Sequence, residues 1–414
     1  MKLNYAKHIE RTLFTGLVFV MTLAMSRGIS QNQLQEVTAR GAVDTTVGFH
    51  SAYPQSAWDV KRQTARVVGA EPVLFLDDSF ILGKQHLTRT LHPFTKHPQP
   101  LIFPIADSLL HSLNICSLVP AADGDGFWAY CLATYKEKTL YTLFRTRNGK
   151  TFTPVTTDQI PSAKIWNDKR PGHFPKHNNV LDFNGLCGAD FTAHYTTFFK
   201  VPYETEYPFR AIFISTRPRP RKTVILRSKD GVRWSSMPDS ASQTMPFEMN
   251  QPTYDPFHDR YLCYLRLWDP PDGPATRWRK VACCEALLTP TGISWTDKKL
   301  VLASDESDGP ATDIYYMQVT GYAGAYLGLP VMYHRPATLK PEQSGKFHCE
   351  LAFSRDGHEW QRIGQGQPML STGASGTWDG GLVGTSGNPV IIHDSLYYYR
   401  SEERRVGKEC RSRW

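Results

Sequence analysis

The sequence predicts an all-β fold, a five-bladed β-propeller that is incomplete at its last blade. The first observation is a repeated phrase, in which a strand pattern enters an Asp-Gly or Asn-Gly turn and an aromatic residue follows three positions after the glycine. Such pairs are typical of β-hairpins because their turns need positive φ angles. The second is composition: 12% aromatic and only 21% charged residues, with 30 glycines and 29 prolines, favour short strands joined by turns.

The repeat gives the blade count. Its clearest copy turns at Asp356-Gly357 and ends at Trp360, and the other turn glycines stand at positions 149, 231 and 292. A strand–turn–strand unit that recurs every roughly 60–80 residues indicates propeller blades of about four strands. Chance occurrence of common hairpins is the alternative, and the recurring aromatic residue argues against it.

Strand patterns place the elements in order. They begin at 72–78 and 87–91, which we assign to the first blade, and a fifth blade starts near position 378. The later strand patterns are 126–133, 140–145, 209–215, 252–265, 313–319, 331–335 and 389–399.

The chain divides into four segments: a signal peptide (1–30), a polar leader (31–70), the propeller (71–400) and a non-native tail (401–414). Basic residues precede an apolar run at 13–25, which suits a signal-peptide core better than a membrane span. We therefore expect a secreted or periplasmic protein with no stable membrane span after cleavage; an uncleaved anchor is the alternative.

The last segment starts without a linker, directly after the strand pattern of 389–399. It resembles stray translated sequence at the end of a truncated reading frame, so we expect the strands that close the ring to be missing. Such a ring would expose unpaired strand edges. The alternative is a genuine charged tail.

Charge and cysteine content exclude two classes of function. The net charge is +8, but the two ends carry more than half of it, and the basic run 217–222 has no interleaved aromatic residues. We therefore expect no nucleic-acid partner. The eight cysteines show no Cys-x-x-Cys or zinc-type spacing, and buried free thiols explain those within strand patterns.

Candidate catalytic residues are acids at blade starts, because the innermost strands surround one channel. Carboxylates brought together in this way acquire different pKa values, as an acid and a base or nucleophile require. A structural role is the alternative for each. The candidates are Glu248, Asp313 and Asp379, with Glu350 in reserve.

Other polar residues belong to turns or to substrate binding. We assign Asp230 and Asp356 to turns, whereas Asp77 and Asp78 are either an inward pair or a strand end. No cofactor is predicted, although one central ion held by carbonyls and water would leave no sequence pattern. Candidate binding residues for sugar hydroxyls, carboxylates or ring faces are Asn178, Asn179, Asn250, His334, Arg335 and Trp378.

The phrases at 250–266, 313–316 and 350–357 together resemble bacterial exported glycosyl-hydrolase-like proteins. These proteins, abundant in planctomycete-type genomes, belong to the five-bladed arabinanase, levansucrase and invertase superfamily. The resemblance covers roughly residues 72–400 and implies a central sugar site with a base or nucleophile, a pKa-setting Asp and a Glu general acid. Lys200 and Val201 stand where the group often has an Asp, and Asp77 or Asp78 is the nearest candidate for its first-blade aspartate.

The sequence therefore predicts an exported glycoside hydrolase with carboxylates in the propeller channel and carbohydrate as its partner. A catalytically inactive propeller that binds glycan or the cell envelope is the alternative. A hydrolase needs two carboxyl groups about 5–10 Å apart, which a binding protein does not. A sialidase-like ring is a third hypothesis, and its arginine candidates are Arg266 and Arg335.

Overall fold

The computed structural model separates the chain into two compact units, Met1–Leu87 and Thr88–Trp414. The predicted signal peptide and leader lie outside the described residues, as do positions 404–414. The described residues are 72–81, 84–97, 101, 103, 110–135, 138–160, 177–187, 192–217, 223–237, 248–269, 278–289, 292–309, 311–335, 345–374, 377, 379–380, 382–393 and 395–403.

The described part of the first unit contains no strand, so the predicted strand at 72–78 is wrong. The Asp77 carboxylate accepts hydrogen bonds from the backbone nitrogen (3.1 Å) and hydroxyl (2.5 Å) of Ser79. Such a local bond favours a turn over a strand. Asp78 forms an exposed ion pair with Lys84 at 2.9 Å. The predicted strand at 87–91 is absent as well.

The second unit consists of antiparallel sheets, one per blade. Blade 1 contains β1 (Leu110–Pro120), β2 (Phe127–Tyr135), β3 (Lys138–Thr146), β4 (Thr153–Pro154) and β5 (Val180–Leu181). Blade 2 follows a short helix, α1 (Asn184–Cys187), and contains β6 (Thr192–Lys200), β7 (Phe209–Arg217), β8 (Thr223–Ser228) and β9 (Trp234–Ser236).

Blade 3 contains β10 (Glu248–Asp255), β11 (Arg260–Asp269), β12 (Trp278–Thr289), β13 (Gly292–Trp295) and β14 (Lys299–Leu302). After a 3-10 turn (Glu306–Asp308), blade 4 contains β15 (Thr312–Tyr322), β16 (Ala325–His334), β17 (Lys346–Cys349), β18 (Leu351–Ser354) and β19 (Trp360–Ile363). Blade 5 contains β20 (Leu382–Ile392) and β21 (Ser395–Glu403).

The blades form a closed cycle. We call the first strand of each blade its inner strand; β1 contacts β6, β6 contacts β10, β10 contacts β15, β15 contacts β20, and β20 contacts β1. This cycle confirms the predicted five-bladed β-propeller. In the described residues the fifth sheet has two strands, and the incompleteness of the last blade stays a prediction.

The repeated turn phrase lies at joints between blades. Gly149, Gly231 and Gly357 have φ angles of 70°, 78° and 83°, and each connects the third strand row of its blade to the fourth. A tyrosine hydroxyl of a neighbouring blade donates to each glycine carbonyl: Tyr399 to Gly149 at 2.9 Å, Tyr130 to Gly231 at 2.7 Å and Tyr264 to Gly357 at 2.8 Å.

The turn aspartates are structural, as predicted. Asp230 Oδ1 accepts hydrogen bonds from the backbone nitrogens of Val232 and Arg233 at 2.8 and 2.7 Å. Asp356 makes the equivalent pair at 2.8 Å to the two residues after Gly357. Their carboxylates therefore fix the turns that carry the joints.

The described cysteines are all free thiols. Burial raises the pKa of Cys116 and of Cys349 to about 12, so both thiols stay protonated at neutral pH. Among the residues the structure covers, we find no helix that is long and apolar enough to cross a membrane.

Candidate active site

The starts of the inner strands define one end of the ring, which we call the mouth. Because every blade repeats the same strand order around one channel, these starts lie at the same end. Glu248 is the first residue of β10 and Asp313 the second of β15. Asp379 precedes β20 by three residues. The topology thus brings three predicted acids, from three successive blades, to the mouth.

For three of the predicted site residues the structure does not describe the side chain. Glu248 and Asn250 lie in β10, where the Glu248 backbone pairs with that of Arg266, and nothing is described of their side chains. Trp378 lies outside the described residues.

Asp313 is fully buried between two arginines. Arg279, from β12, approaches its Oδ2 with Nη1 at 3.1 Å and with its backbone nitrogen at 3.2 Å. Arg335, just after β16, places Nη2 at 2.5 Å from the same oxygen. A buried carboxylate requires such partners, because burying it alone would be costly.

Aromatic rings surround these arginines. Arg335 lies over Trp278 at 4.6 Å and Arg279 over Tyr315 at 4.8 Å. Arg266 also lies over Tyr315, at 4.2 Å, and donates from Nε to the Tyr315 carbonyl at 3.0 Å. Both predicted arginine candidates therefore lie near Asp313 or Tyr315, together with Arg279, which was not predicted.

Glu350 lies at the gap between β17 and β18. The gap faces Pro330, whose ring nitrogen has no hydrogen for the strand ladder, while its carbonyl accepts from the Glu350 nitrogen at 3.1 Å. The Glu350 side chain is 1% exposed, with Oε1 at 3.1 Å from His348 Nε2 and Oε2 at 3.2 Å from Arg362 Nη1. Glu350 is therefore embedded in blade 4.

Arg362 also binds the buried Asp308, which the sequence analysis missed. Its Nη1 and Nη2 lie 2.6 and 2.7 Å from the two Asp308 oxygens, a bidentate pairing. One guanidinium thus binds two buried carboxylates, Asp308 and Glu350. Arg362 was missed because its partners lie in distant parts of the sequence.

His334 contacts Thr312 and His348. Its Nδ1 is 2.9 Å from Thr312 Oγ1 and its Nε2 is 3.1 Å from His348 Nδ1. Burial, and then the neighbouring His348, lower the pKa of His334 below its usual value. His334 is therefore linked to Glu350 through His348, whereas the adjacent Arg335 binds Asp313 directly.

Asp379 is paired with two cations. Lys96 Nζ lies 2.8 Å and Arg400 Nη1 3.0 Å from its Oδ2, and Thr377 Oγ1 lies 2.9 Å from its Oδ1. The hydrogen bond from Lys96, together with that from Arg400, holds the pKa of Asp379 well below its usual value. Asp379 is therefore ionised at neutral pH.

The predicted amides Asn178 and Asn179 hold a connection of blade 1. Asn178 Nδ2 donates to the Ile160 carbonyl at 2.8 Å, and Asn179 Nδ2 donates to the Leu143 carbonyl at 3.0 Å. Their amide groups thus have structural partners, and sugar binding by them stays a prediction. Within the described ranges, no group of three or more His, Cys, Asp or Glu side chains is arranged to hold a metal ion.

Comparison with known proteins gives structural likeness alone. No protein-family profile matches the chain, and no curated protein matches it. One similar solved structure comes from a mannoside phosphorylase family that contains glycoside hydrolases targeting β-1,2 mannosidic linkages in Candida mannan. It is 10% identical, with a TM-score of 0.48, and the match covers 78% of this chain and 95% of that chain.

Two further similar structures are an α-L-arabinofuranosidase from Lactobacillus brevis and a glycosyl hydrolase from Bacteroides ovatus. The first is 10% identical with a TM-score of 0.44, covering 74% of this chain and 88% of its own. The second is 10% identical with a TM-score of 0.44, covering 70% and 81%. The fold assignment itself rests on the sheet order and the cycle of inner strands.

Proposed function

We propose that this chain is an exported glycoside hydrolase that cleaves a glycosidic bond at the mouth of the ring. The observation that carries the proposal is topological: Glu248, Asp313 and Asp379 stand at the starts of inner strands in three successive blades. Glycoside cleavage needs carboxyl groups that approach one sugar from different sides. Carbohydrate is the partner, and the secreted or periplasmic location remains part of the proposal.

The three acids would have different roles. Asp379, ionised at neutral pH because its pKa is lowered, would be the carboxylate that stabilises the positive sugar ring. Asp313, between two guanidinium groups, would orient these arginines and the aromatic rings around them. Glu248 would then be the acid that protonates the leaving oxygen, with Glu350 as the reserve.

A specific observation favours the second candidate, a propeller that binds glycan without cleaving it. Asp313 and Glu350 are 0% and 1% exposed, and each is paired with cationic or imidazole groups. If Asp379 is likewise committed to Lys96 and Arg400, the acids would hold the mouth together and the aromatic residues would contact the sugar.

The test is hydrolysis of a panel of oligosaccharides by the full chain, read as release of reducing ends. For the hydrolase we expect Glu248→Gln and Asp379→Asn each to lower kcat/KM by a factor of about 10²–10⁴, as removal of an acid–base group does. Glu359→Gln, an exposed turn position, is the matched control and should retain activity.

The panel also separates the two candidates. Binding of an oligosaccharide with no release of reducing ends, unchanged in Glu248→Gln, would support the binding propeller and contradict the hydrolase. Mass spectrometry of the protein exported by a bacterial host tests the proposed signal peptide, since cleavage near position 30 should remove the apolar run.

A further inference from the structure

Thr312, His334, His348 and Glu350 form a hydrogen-bonded chain across blade 4, which we call the His–Glu chain. Four contacts run along it in series. They are Thr312 Oγ1 to the Asp308 carbonyl at 2.7 Å, Thr312 Oγ1 to His334 Nδ1 at 2.9 Å, His334 Nε2 to His348 Nδ1 at 3.1 Å, and His348 Nε2 to Glu350 Oε1 at 3.1 Å.

The direction of these bonds is fixed from the Asp308 end. A carbonyl oxygen only accepts, so the single Thr312 hydroxyl proton points at Asp308, and Thr312 Oγ1 must accept from His334. His334 therefore carries its proton on Nδ1. The neutral ring then presents a lone pair on Nε2, so His348 must donate to it from Nδ1.

This order leaves the last contact without a proton. A neutral His348 that donates from Nδ1 has a lone pair on Nε2, facing the carboxylate oxygen of Glu350 at 3.1 Å. Two neutral imidazoles and one hydroxyl supply three protons, whereas the four contacts need four. Two facing lone pairs in a buried place repel each other, and the fourth proton removes this repulsion.

We propose that the His–Glu chain holds this fourth proton at neutral pH, shared between His348 and Glu350, so that the two residues act as one acid. In one arrangement His348 is an imidazolium facing a carboxylate, and in the other a protonated Glu350 donates to a neutral imidazole. The lowered pKa of His334 keeps the proton on the side of His348. The proton count goes beyond the proposed function and does not depend on it.

The charges around the chain come from several elements. Arg362 of β19 contacts Glu350 and Asp308, and Asp305 contacts Arg362 at 3.3 Å. Hydrogen bonds from Ser307 lower the pKa of Asp305 to about 2, so it is ionised. Lys346 of β17 pairs with His334 in the strand ladder, and Asp313 and Arg335, next in sequence to Thr312 and His334, bind each other.

The single guanidinium of Arg362 contacts three carboxylates, those of Asp305, Asp308 and Glu350. Negative charge is therefore in excess around Glu350. A proton on His348 or Glu350 lowers this local excess of negative charge, in agreement with the hydrogen-bond count.

The experiment compares the pH dependence of unfolding in the wild-type protein and in Glu350→Gln. A Gln amide donates to His348 Nε2 without an additional proton, so the variant satisfies all four contacts in a neutral state. The unfolded chain carries neutral histidines and ionised Glu at pH 7–8. The folded wild type then binds one more proton than the unfolded chain, and its stability falls as pH rises.

Between pH 7 and 8 we expect the unfolding equilibrium constant of the wild type to rise by a factor about ten times larger than that of Glu350→Gln. This factor corresponds to one additional proton bound by the folded wild type. Glu359→Gln, with the same change of charge on an exposed turn, should keep the wild-type slope. Equal slopes in wild type and Glu350→Gln would overturn the proposal.

A second pair of variants tests the role of Thr312 as a positioning residue. Thr312→Val frees His334 to donate from Nε2, so two neutral imidazoles satisfy the remaining two contacts and the additional proton is released. Thr312→Ser retains the hydroxyl and should keep the proton. If Val and Ser give the same pH slope, the bond direction inferred from Asp308 is wrong.

Nitrogen NMR of the imidazole rings at pH 7.5 gives a readout independent of stability and of activity. We expect His334 to be protonated on Nδ1 and His348 to exchange a proton with Glu350. A spectrum in which His334 is protonated on Nε2 would refute the proposal, even if no carbohydrate is cleaved.

Discussion

One of the contacts between the first and last blades lies at Gly149. This glycine has a φ of +70°, and a Cβ added there would lie 2.7 Å from Ile392 Cδ1 and 2.8 Å from the Tyr399 hydroxyl. Tyr399 is buried and donates to the Gly149 carbonyl at 2.9 Å. We therefore expect Gly149→Ala to push blade 5 away from blade 1.

The magnitude has two parts. A left-handed conformation costs an alanine about 1–2 kcal/mol, and forcing a methyl group into a packed contact costs about 1–3 kcal/mol more. Gly124, in the β1–β2 turn of the same blade, has a φ of +74° and nothing within 4 Å of an added Cβ. Gly124→Ala therefore isolates the backbone cost, and the difference between the variants measures the blade contact.

The assay is urea unfolding of the two variants and the wild-type chain. We expect Gly149→Ala to lower the free energy of unfolding by about 1–3 kcal/mol more than Gly124→Ala. Tyr399→Phe, which leaves the Gly149 carbonyl without this donor, should cost about 1–3 kcal/mol. If both alanine variants lose the same stability and Tyr399→Phe loses none, the joint at Gly149 adds nothing to the closure of blade 5 on blade 1.

Two other substitutions test the buried charges. Arg362→Ala leaves Asp308 and Glu350 without their guanidinium and should lower the free energy of unfolding by about 3–5 kcal/mol. The control is Arg233→Ala, because Arg233 is 85% exposed in its ion pair with Asp230. This variant should change the free energy of unfolding by less than about 1 kcal/mol. The lowered pKa of Asp379 stabilises the fold at neutral pH, and this contribution is lost as pH falls below about 4. Asp379→Asn should therefore be less stable than wild type at pH 7 and lose less stability on acidification; parallel acid-unfolding curves would contradict the pairing with Lys96 and Arg400.

Local chemistry explains which parts of the fold were predictable. The turn glycines were found because a hairpin with positive φ selects Asp-Gly and Asn-Gly pairs wherever it occurs. β1 was missed because irregularities between Leu110 and Ser112 and between Ile115 and Ser117 break the period-two pattern. The wrong strand at 72–78 shows the reverse case, in which the apolar pattern suggested a strand and the Asp77 side chain formed a turn.

The strand positions of the candidate acids were predictable, but the partners of their side chains were not. A carboxylate at a strand start can be recognised from sequence, yet Asp379 is paired with Lys96, which is 283 residues away. Nor did the sequence pair Arg279 with Asp313, because they lie in different blades. His348 and Glu350, two residues apart in an extended segment, lie on one face, and this spacing was the available sign of the His–Glu chain.

The tyrosine–glycine joints have a consequence for the symmetry of the ring. They link blade 1 to blade 2, blade 3 to blade 4, and blade 5 to blade 1, whereas Tyr261 bonds the Lys200 carbonyl between blades 2 and 3, and Tyr316 the Thr385 carbonyl between blades 4 and 5. Two kinds of joint can alternate perfectly only around an even number of blades. With five, one blade must have the same kind on both sides, and that blade is blade 1, where the first and last sheets meet.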